Sequence, residues 1–438
     1  MVSGAVAEAE RLANPVINGP YDPPALHFEI GSDGSPTGTL LPGRRPSESW
    51  TPIPAVRKGR KGQTLLDFDA TGERREANNL VNDIRREVDL WRARNYPGAT
   101  AISRKLMLHW ANPDKENRVL FCQREAAETA VFLAEVAGRH GTADYRARLD
   151  PLNNEHNANL PRVALKMATG SGKTVVMAML IAWHTLNKVH TPQDARFSKR
   201  FLVVTPGITI RDRLRVLLPS DPGNYYRERD LVPPDLWGGL TEAQVVITNY
   251  HQFIAKDRKE IQGVASNTRK ILLYAKLVDP FKENGDEMVA RVLRDFMGRG
   301  KNEIVVFNDE AHHCYQDKLL GDDDPDKPDK EAEERNADAR VWFKGLQAVK
   351  RKIGIKSIYD MSATPFYLAG SGHQEGFIFP WVVCDFSLMD AIESGIVKVP
   401  RLPVDDNAAP RCWCTATCGA RSARGCPSGP APRRCRTG

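Results

Sequence analysis

Nowhere in its 438 residues does the chain carry the ~20 consecutive apolar residues that span a bilayer, so no membrane-spanning helix is expected. Its first residues, MVSGAVAEAERLANPV, put acids early and lack a basic segment followed by an apolar core. No secretory signal is expected, and the cytoplasm is the default compartment. The main body is poor in cysteine, with Cys122, Cys314 and Cys384 scattered through it, which argues against a disulfide framework and for a reduced environment. It is also without a charge of one sign. The net charge is +7, but residues 408–438 hold six arginines and no acid, leaving only +1 for residues 1–407. Global charge is thus weak evidence for nucleic acid, and any such case must come from motifs.

Residues 408–438 also lack Leu, Ile, Val and Phe, so they cannot bury a core and are expected to be disordered. Their five cysteines, Cys412, Cys414, Cys418, Cys426 and Cys435, have nothing apolar around them to pack a metal module. Arg, Ala, Gly, Pro and Cys are what GC-rich codons yield out of frame. A frameshift near Asp406-Asn407 is therefore the expectation, which nucleotide sequence failing to continue in another frame would rule out.

What is present divides by texture. Residues 1–77 form a Pro/Gly-rich extension with short strand-like pieces such as LHFEI and a basic run, Arg57-Lys58-Gly59-Arg60-Lys61, read as a solvated loop. Residues 78–160 read as a helical lead-in. Leu80, Ile84, Val88 and Leu90-Trp91 recur at helical spacing up to about Arg94, and a second helix is expected from about Gln123 to Ala137. Residues 161–407 alternate apolar strands with helices. The strands are expected at 163–168, 200–206, 243–249, 303–309 and 357–363. Continuous apolar strands alternating with helices imply an α/β fold with a mostly parallel sheet. The acidic stretch 321–334 reads as a solvated loop leading into a helix.

Three motifs lie on this frame. Ala168-Thr169-Gly170-Ser171-Gly172-Lys173-Thr174 follows a strand and opens the apolar helix TVVMAMLIAWHTL, the context a phosphate-binding loop requires. Glycines let backbone N–H groups close around phosphate oxygens, and the helix N-terminus adds partial positive charge. Lys173 would reach the β- and γ-phosphates of ATP, and Thr174 would set its hydroxyl on Mg²⁺. Asp309-Glu310-Ala311-His312 ends another apolar strand. Asp309 would hold Mg²⁺ through water and Glu310 would orient or deprotonate the attacking water, with His312 completing the box. The adjacent His312-His313-Cys314 is not expected to hold a metal, because neighbours on one turn seldom converge on one ion. Ser362-Ala363-Thr364 ends a third strand before Pro365. Its hydroxyls could bond to the acidic motif and couple nucleotide state to a second lobe.

In this order, the three motifs resemble superfamily 2 helicases of the DEAH-like group, over roughly residues 118–400. The resemblance implies a RecA-like ATP-binding lobe. It also gives meaning to weaker pieces. Gln123, in Phe121-Cys122-Gln123-Arg124-Glu125-Ala126, looks like the family's adenine-reading residue. Thr205-Pro206-Gly207 with Arg211 looks like the first nucleic-acid contact. Thr248-Asn249-Tyr250 looks like the second, although a plain strand-ending turn explains those residues equally well. Such loops would hold phosphates without reading sequence.

More narrowly, segments such as LLDFDATGE, IRREVDLWRARNYPG and FPWVVCDFSLMDAIESGIVKVPRLPVDDN resemble the Res subunit family of type III restriction enzymes. That family implies an ATP-driven motor on duplex DNA, a separate nuclease domain, and a partner methyltransferase subunit that supplies site specificity. It also implies a second lobe with an arginine finger after Pro403. Residues 408–438 resemble neither that lobe nor the nuclease. This chain alone is therefore expected to bind Mg-ATP and hydrolyse it slowly, the alternative being an ATP- or DNA-binding fragment without motor activity.

Overall fold

The computed structural model describes residues 14–31, 36–52, 73–139, 141–256, 282–297, 304–316, 330–368 and 371–398. The basic run at 57–61, most of the acidic loop and the 408–438 tail lie outside the described residues.

The chain opens with two antiparallel pairs. β1 (Leu26–Ile30) pairs with β2 (Pro36–Pro42), and β3 (Glu48–Pro52) with β4 (Glu73–Ala77). Four helices follow: α1 (Asn79–Ala93), α2 (Ala101–Ala111), α3 (Phe121–Glu135) and α4 (Tyr145–Asn157). The spacing of Val81, Ile84, Val88 and Trp91 puts all four on the buried stripe of α1. Thr100 starts α2 by accepting the Ser103 N–H, and Asp144 starts α4 by accepting those of Arg146 and Ala147.

The centre is a six-stranded sheet. Its strands are β5 (Arg162–Met167), β6 (Arg200–Thr205), β7 (Gln244–Asn249), β8 (Ile304–Asp309), β9 (Ile355–Ser362) and β10 (Val382–Phe386). All neighbours are parallel, in the order β10-β5-β9-β8-β6-β7. The five expected strands are present with ends shifted by one or two residues. The sixth, β10, was not expected: it is five residues long, bounded by no Gly/Asn turn signal, and gains its meaning only by pairing with β5.

Both faces of the sheet are covered, which explains the unbroken apolar runs. Side chains alternate between two cores. Phe201, Val203, Val305 and Phe307 face one core, shared with α1, α2, α3 and α5 (Lys173–His190). Leu202, Val204, Ile304 and Val306 face the other, shared with the helices Gly285–Val292 and Lys330–Lys352. The lead-in helices and the sheet therefore share one continuous core.

Parallel strands all point their C-terminal ends the same way. The loops after β5, β9, β8, β6 and β7 consequently line one end of the sheet, where open α/β sheets bind ligands. These loops carry the sequence motifs in spatial, not sequence, order.

Candidate active site

The glycine-rich loop runs from Met167, the last residue of β5, to Lys173, the first of α5. Its turn depends on Gly170 (φ +86°) and Gly172 (φ +88°), a backbone region in which side chains are strained. At Gly172 a Cβ would also displace the Gln123 side-chain amide. Ser171 is buried and donates its hydroxyl to the Ala168 carbonyl at 2.6 Å, so it shapes the loop from inside. Thr169 and Gly170 are exposed at the loop's tip.

Gln123 meets this loop from α3. Its Nε2 donates to the Ser171 carbonyl at 3.0 Å, and its Oε1 accepts the Leu120 N–H at 3.1 Å. In this state the residue expected to read adenine is 6% exposed and braces the phosphate loop.

Register brings the other two motifs alongside. Lys166 pairs with Ser362, and Asp309 with Met361. Lys173 Nζ lies 3.1 Å from Glu310 Oε1. Glu310 Oε2 lies 3.6 Å from His312 Nδ1, which stands 3.0 Å from Ser362 Oγ. Ser362 Oγ also accepts the Thr364 N–H at 3.1 Å. A row of polar side chains, with a 3.6 Å step between Glu310 and His312, thus runs from Lys173 past the acidic box to the Ser-Ala-Thr box. Glu310 holds φ +52°, uncommon for a residue with a side chain, and such local strain concentrates at functional sites.

Electrostatics follow from burial. Asp309 is pushed up to about 6, first by desolvation and then by Glu310, with Lys173 opposing. His312 is pushed down to about 4 by desolvation and by His313, so its ring is neutral near pH 7. Both neighbours meet the ring at Nδ1: Ser362 Oγ lies there at hydrogen-bond distance, and Glu310 Oε2 stands beside it at 3.6 Å.

The loop fits a nucleoside triphosphate: glycine-only backbone at the cradle, a helix start, and a lysine at its mouth. The oxygen donors Thr174 and Asp309 fit a small hard dication such as Mg²⁺.

The loops after β6 and β7 are built differently. Thr205 is fully buried and donates its hydroxyl to the Gly207 carbonyl at 2.9 Å. Pro206 and Gly207 are half-buried. Thr248 and Asn249 are buried, and Thr248 Oγ1 donates to the Asn249 carbonyl at 3.3 Å. Tyr250 stacks on Trp342, with ring centroids 5.5 Å apart and planes 4° apart. Arg211 falls in the helix Ile208–Arg213, and its side chain lies outside the described residues.

Several supporting residues gave no signal in the sequence. Asp360 is fully buried on β9 and accepts from Arg162 Nε (2.7 Å), Trp381 Nε1 (2.8 Å) and Asn308 Nδ2 (2.8 Å). Arg44, from the N-terminal extension, pairs with Glu125 on the helix that carries Gln123. Ser47 donates to Asp385 on β10 at 2.6 Å. These partners lie tens to hundreds of residues apart, and only the fold unites them.

A family model described as "Type III restriction enzyme, res subunit" matches residues 122–367. The match begins beside Gln123 and ends just past the Ser-Ala-Thr box, so it spans every motif described above. At 246 of 438 residues it covers more than half of the chain, and the chain belongs to that family. The matched domain is a helicase-like, ATP-binding motor domain of superfamily 2 type. No curated protein matches the chain. Among the described residues, no helix is long and apolar enough to cross a membrane.

Proposed function

We propose that this chain is the ATP-binding motor lobe of a DNA translocase of the restriction Res type, working in the cytoplasm. The observation that carries the reading is the polar path Lys173–Glu310–His312–Ser362, with contacts of 3.1, 3.6 and 3.0 Å. Each member has a part. Lys173 exchanges its ion pair with Glu310 for the β- and γ-phosphates of ATP. Glu310, released, orients the attacking water. Thr174 and Asp309 would hold Mg²⁺, which when bound would neutralise charge on the phosphate oxygens. Gln123 moves between bracing Ser171 and reading the adenine. His312 passes the position of Glu310 to Ser362, and Ser362 with Thr364 passes it to the neighbouring lobe.

On the other half of the sheet end, the loops at Thr205–Gly207 and Thr248–Tyr250, with Arg211, meet the duplex backbone. Backbone contact suits this half, because phosphate contacts position DNA without reading its sequence. Sequence specificity then falls to a methyltransferase partner.

The test is Mg-ATPase turnover and ATP affinity of the chain, with and without duplex DNA, against Lys173→Ala. Loss of charge-assisted bonds worth about 1.5–3 kcal/mol should weaken ATP binding by about 10- to 100-fold. Turnover by this chain alone should be slow. An arginine finger from a second lobe contributes roughly 10³–10⁵ in related enzymes, and the described residues hold one P-loop sheet. Fast, DNA-stimulated turnover would refute the slow-turnover expectation. ATP binding untouched by Lys173→Ala would refute the site itself.

A further inference from the structure

The opposite end of the sheet holds a cavity of about 620 Å³ whose lining includes seven lysines and arginines and no acid. In a chain with 62 basic and 55 acidic residues, such segregation is not what an even mixture would produce. Six of the cations are Lys188, Lys199, Arg200, Lys350, Lys352 and Lys356. They come from the last turn of α5, the start of β6, the last turn of the helix Lys330–Lys352, and the start of β9. Strands of six residues put this end roughly 20 Å from the P-loop end.

Part of this charge has an ordinary cause. Cations favour helix C-termini, which accounts for Lys188 and for the Lys350–Lys352 group. It does not account for Lys199, Arg200 and Lys356, which belong to strand starts and the turn before one. Acids touch the rim from outside: Lys199 pairs with Glu242 at 2.6 Å and Arg351 with Asp286 at 3.1 Å. Lys188 donates to a neutral acceptor, the Asp194 carbonyl, at 2.9 Å, with the Asp194 carboxylate nearby. Lys188 is also held below its ordinary range by burial and then by Lys356, with Lys199 adding to the repulsion. A bound anion would relieve that crowding. The wall offers no exposed ring on which a base could stack, since Phe197 is 1% exposed.

We infer that this cavity is a second nucleic-acid contact, taking phosphodiester groups of duplex DNA at the end of the lobe remote from ATP. The inference rests on the DNA-motor reading above for its ligand. It extends the duplex's footprint beyond the loops after β6 and β7.

The experiment is binding of a short labelled duplex in EDTA, without nucleotide, over a series of salt concentrations. Removing one cation that neutralises a phosphate should make the slope of log K against log salt shallower by about 0.9. The double variant Lys188→Ala/Lys356→Ala is expected to flatten the slope by about 1–2 and to weaken binding at low salt by roughly tenfold. Lys352→Glu, on an exposed position, repeats the test should the double variant unfold. Binding by the wild type with slopes unchanged in both variants would overturn the inference while leaving the DNA-motor reading intact. No duplex binding by the wild type would overturn both. Polyglutamate competing as well as duplex would overturn the DNA assignment in favour of an acidic protein surface.

Discussion

The C-terminal end of the sheet has two halves, and they are made in opposite ways. The half after β5, β9 and β8 presents charge: Lys173, Glu310 and His312 are only partly covered, and Glu310 holds a strained backbone beside the two positive-φ glycines, Gly170 and Gly172. The half after β6 and β7 buries the polar side chains at its strand ends. Thr205, Thr248 and Asn249 are buried, and Tyr250 lies flat on Trp342. The difference fits the two tasks proposed above. Chemistry on a phosphoryl group needs preorganised charge. A grip on a sliding backbone needs a loop of fixed shape more than a particular side chain.

The two halves meet at Asp360. Through Asn308 this carboxylate reaches Trp342, whose Nε1 donates to Asn308 Oδ1 at 3.1 Å, and Trp342 carries Tyr250. Through Arg162 it reaches β5, the strand that delivers the P-loop. Arg162 and Asp360 are both fully buried, so removing one partner strands the other's charge. Asp360→Ala should cost about 3–5 kcal/mol in denaturant unfolding. A loss below about 1 kcal/mol would mean that the halves are not joined through this residue.

Acid should weaken both halves together. His184, fully buried on α5, is 3.3 Å from the Tyr359 hydroxyl on β9 and faces Phe201 on β6. Burial, then Lys356, pushes its ring from the usual 6.5 down to about 3. The unfolded chain takes up this proton near pH 6.5 and the native state does not. Stability is therefore complete above that pH and falls as the pH is lowered. From pH 7 to pH 5 the loss should be about 2 kcal/mol. Urea midpoints against pH would test this, with His184→Phe expected to flatten the curve. An equally steep curve in that variant would assign the acid lability elsewhere.

Legibility in the sequence followed the same divide. The motifs after β5, β9 and β8 were legible because they are short, contiguous and tied to strand ends; the contact of Ser362 with the acidic box was expected, and the structure adds the ion pair of Lys173 with Glu310. The parallel sheet was legible because strands buried on both faces write unbroken apolar runs. β10 was not, since five residues without turn signals carry no period of their own. The junction at Asp360 was invisible because Trp381, Asn308 and Arg162 reach it from 21, 52 and 198 residues away. Gln123 was singled out for a base, and its bond to Ser171 depends on how α3 approaches the loop.

The smaller effects separate the halves. Ser362→Ala removes the partner of His312, a bond worth about 1 kcal/mol. Its expected signature is a loss of ATP–DNA coupling, up to about fivefold in affinity, with each ligand still bound alone. Coupling unchanged in this variant would break the path at His312.

Thr205→Val should do less still. The hydroxyl is fully buried and spent on the Gly207 carbonyl, so its loss should cost about 1 kcal/mol of stability. Val keeps the β-branched shape, and the loop should keep its path. DNA affinity should then stay within about twofold, because a buried hydroxyl offers nothing to a phosphate. A fall of tenfold, about 1.4 kcal/mol, would mean that the loop opens on DNA and turns Thr205 outward. The second half would then be a concealed version of the first, with its polar groups held in reserve until the duplex arrives.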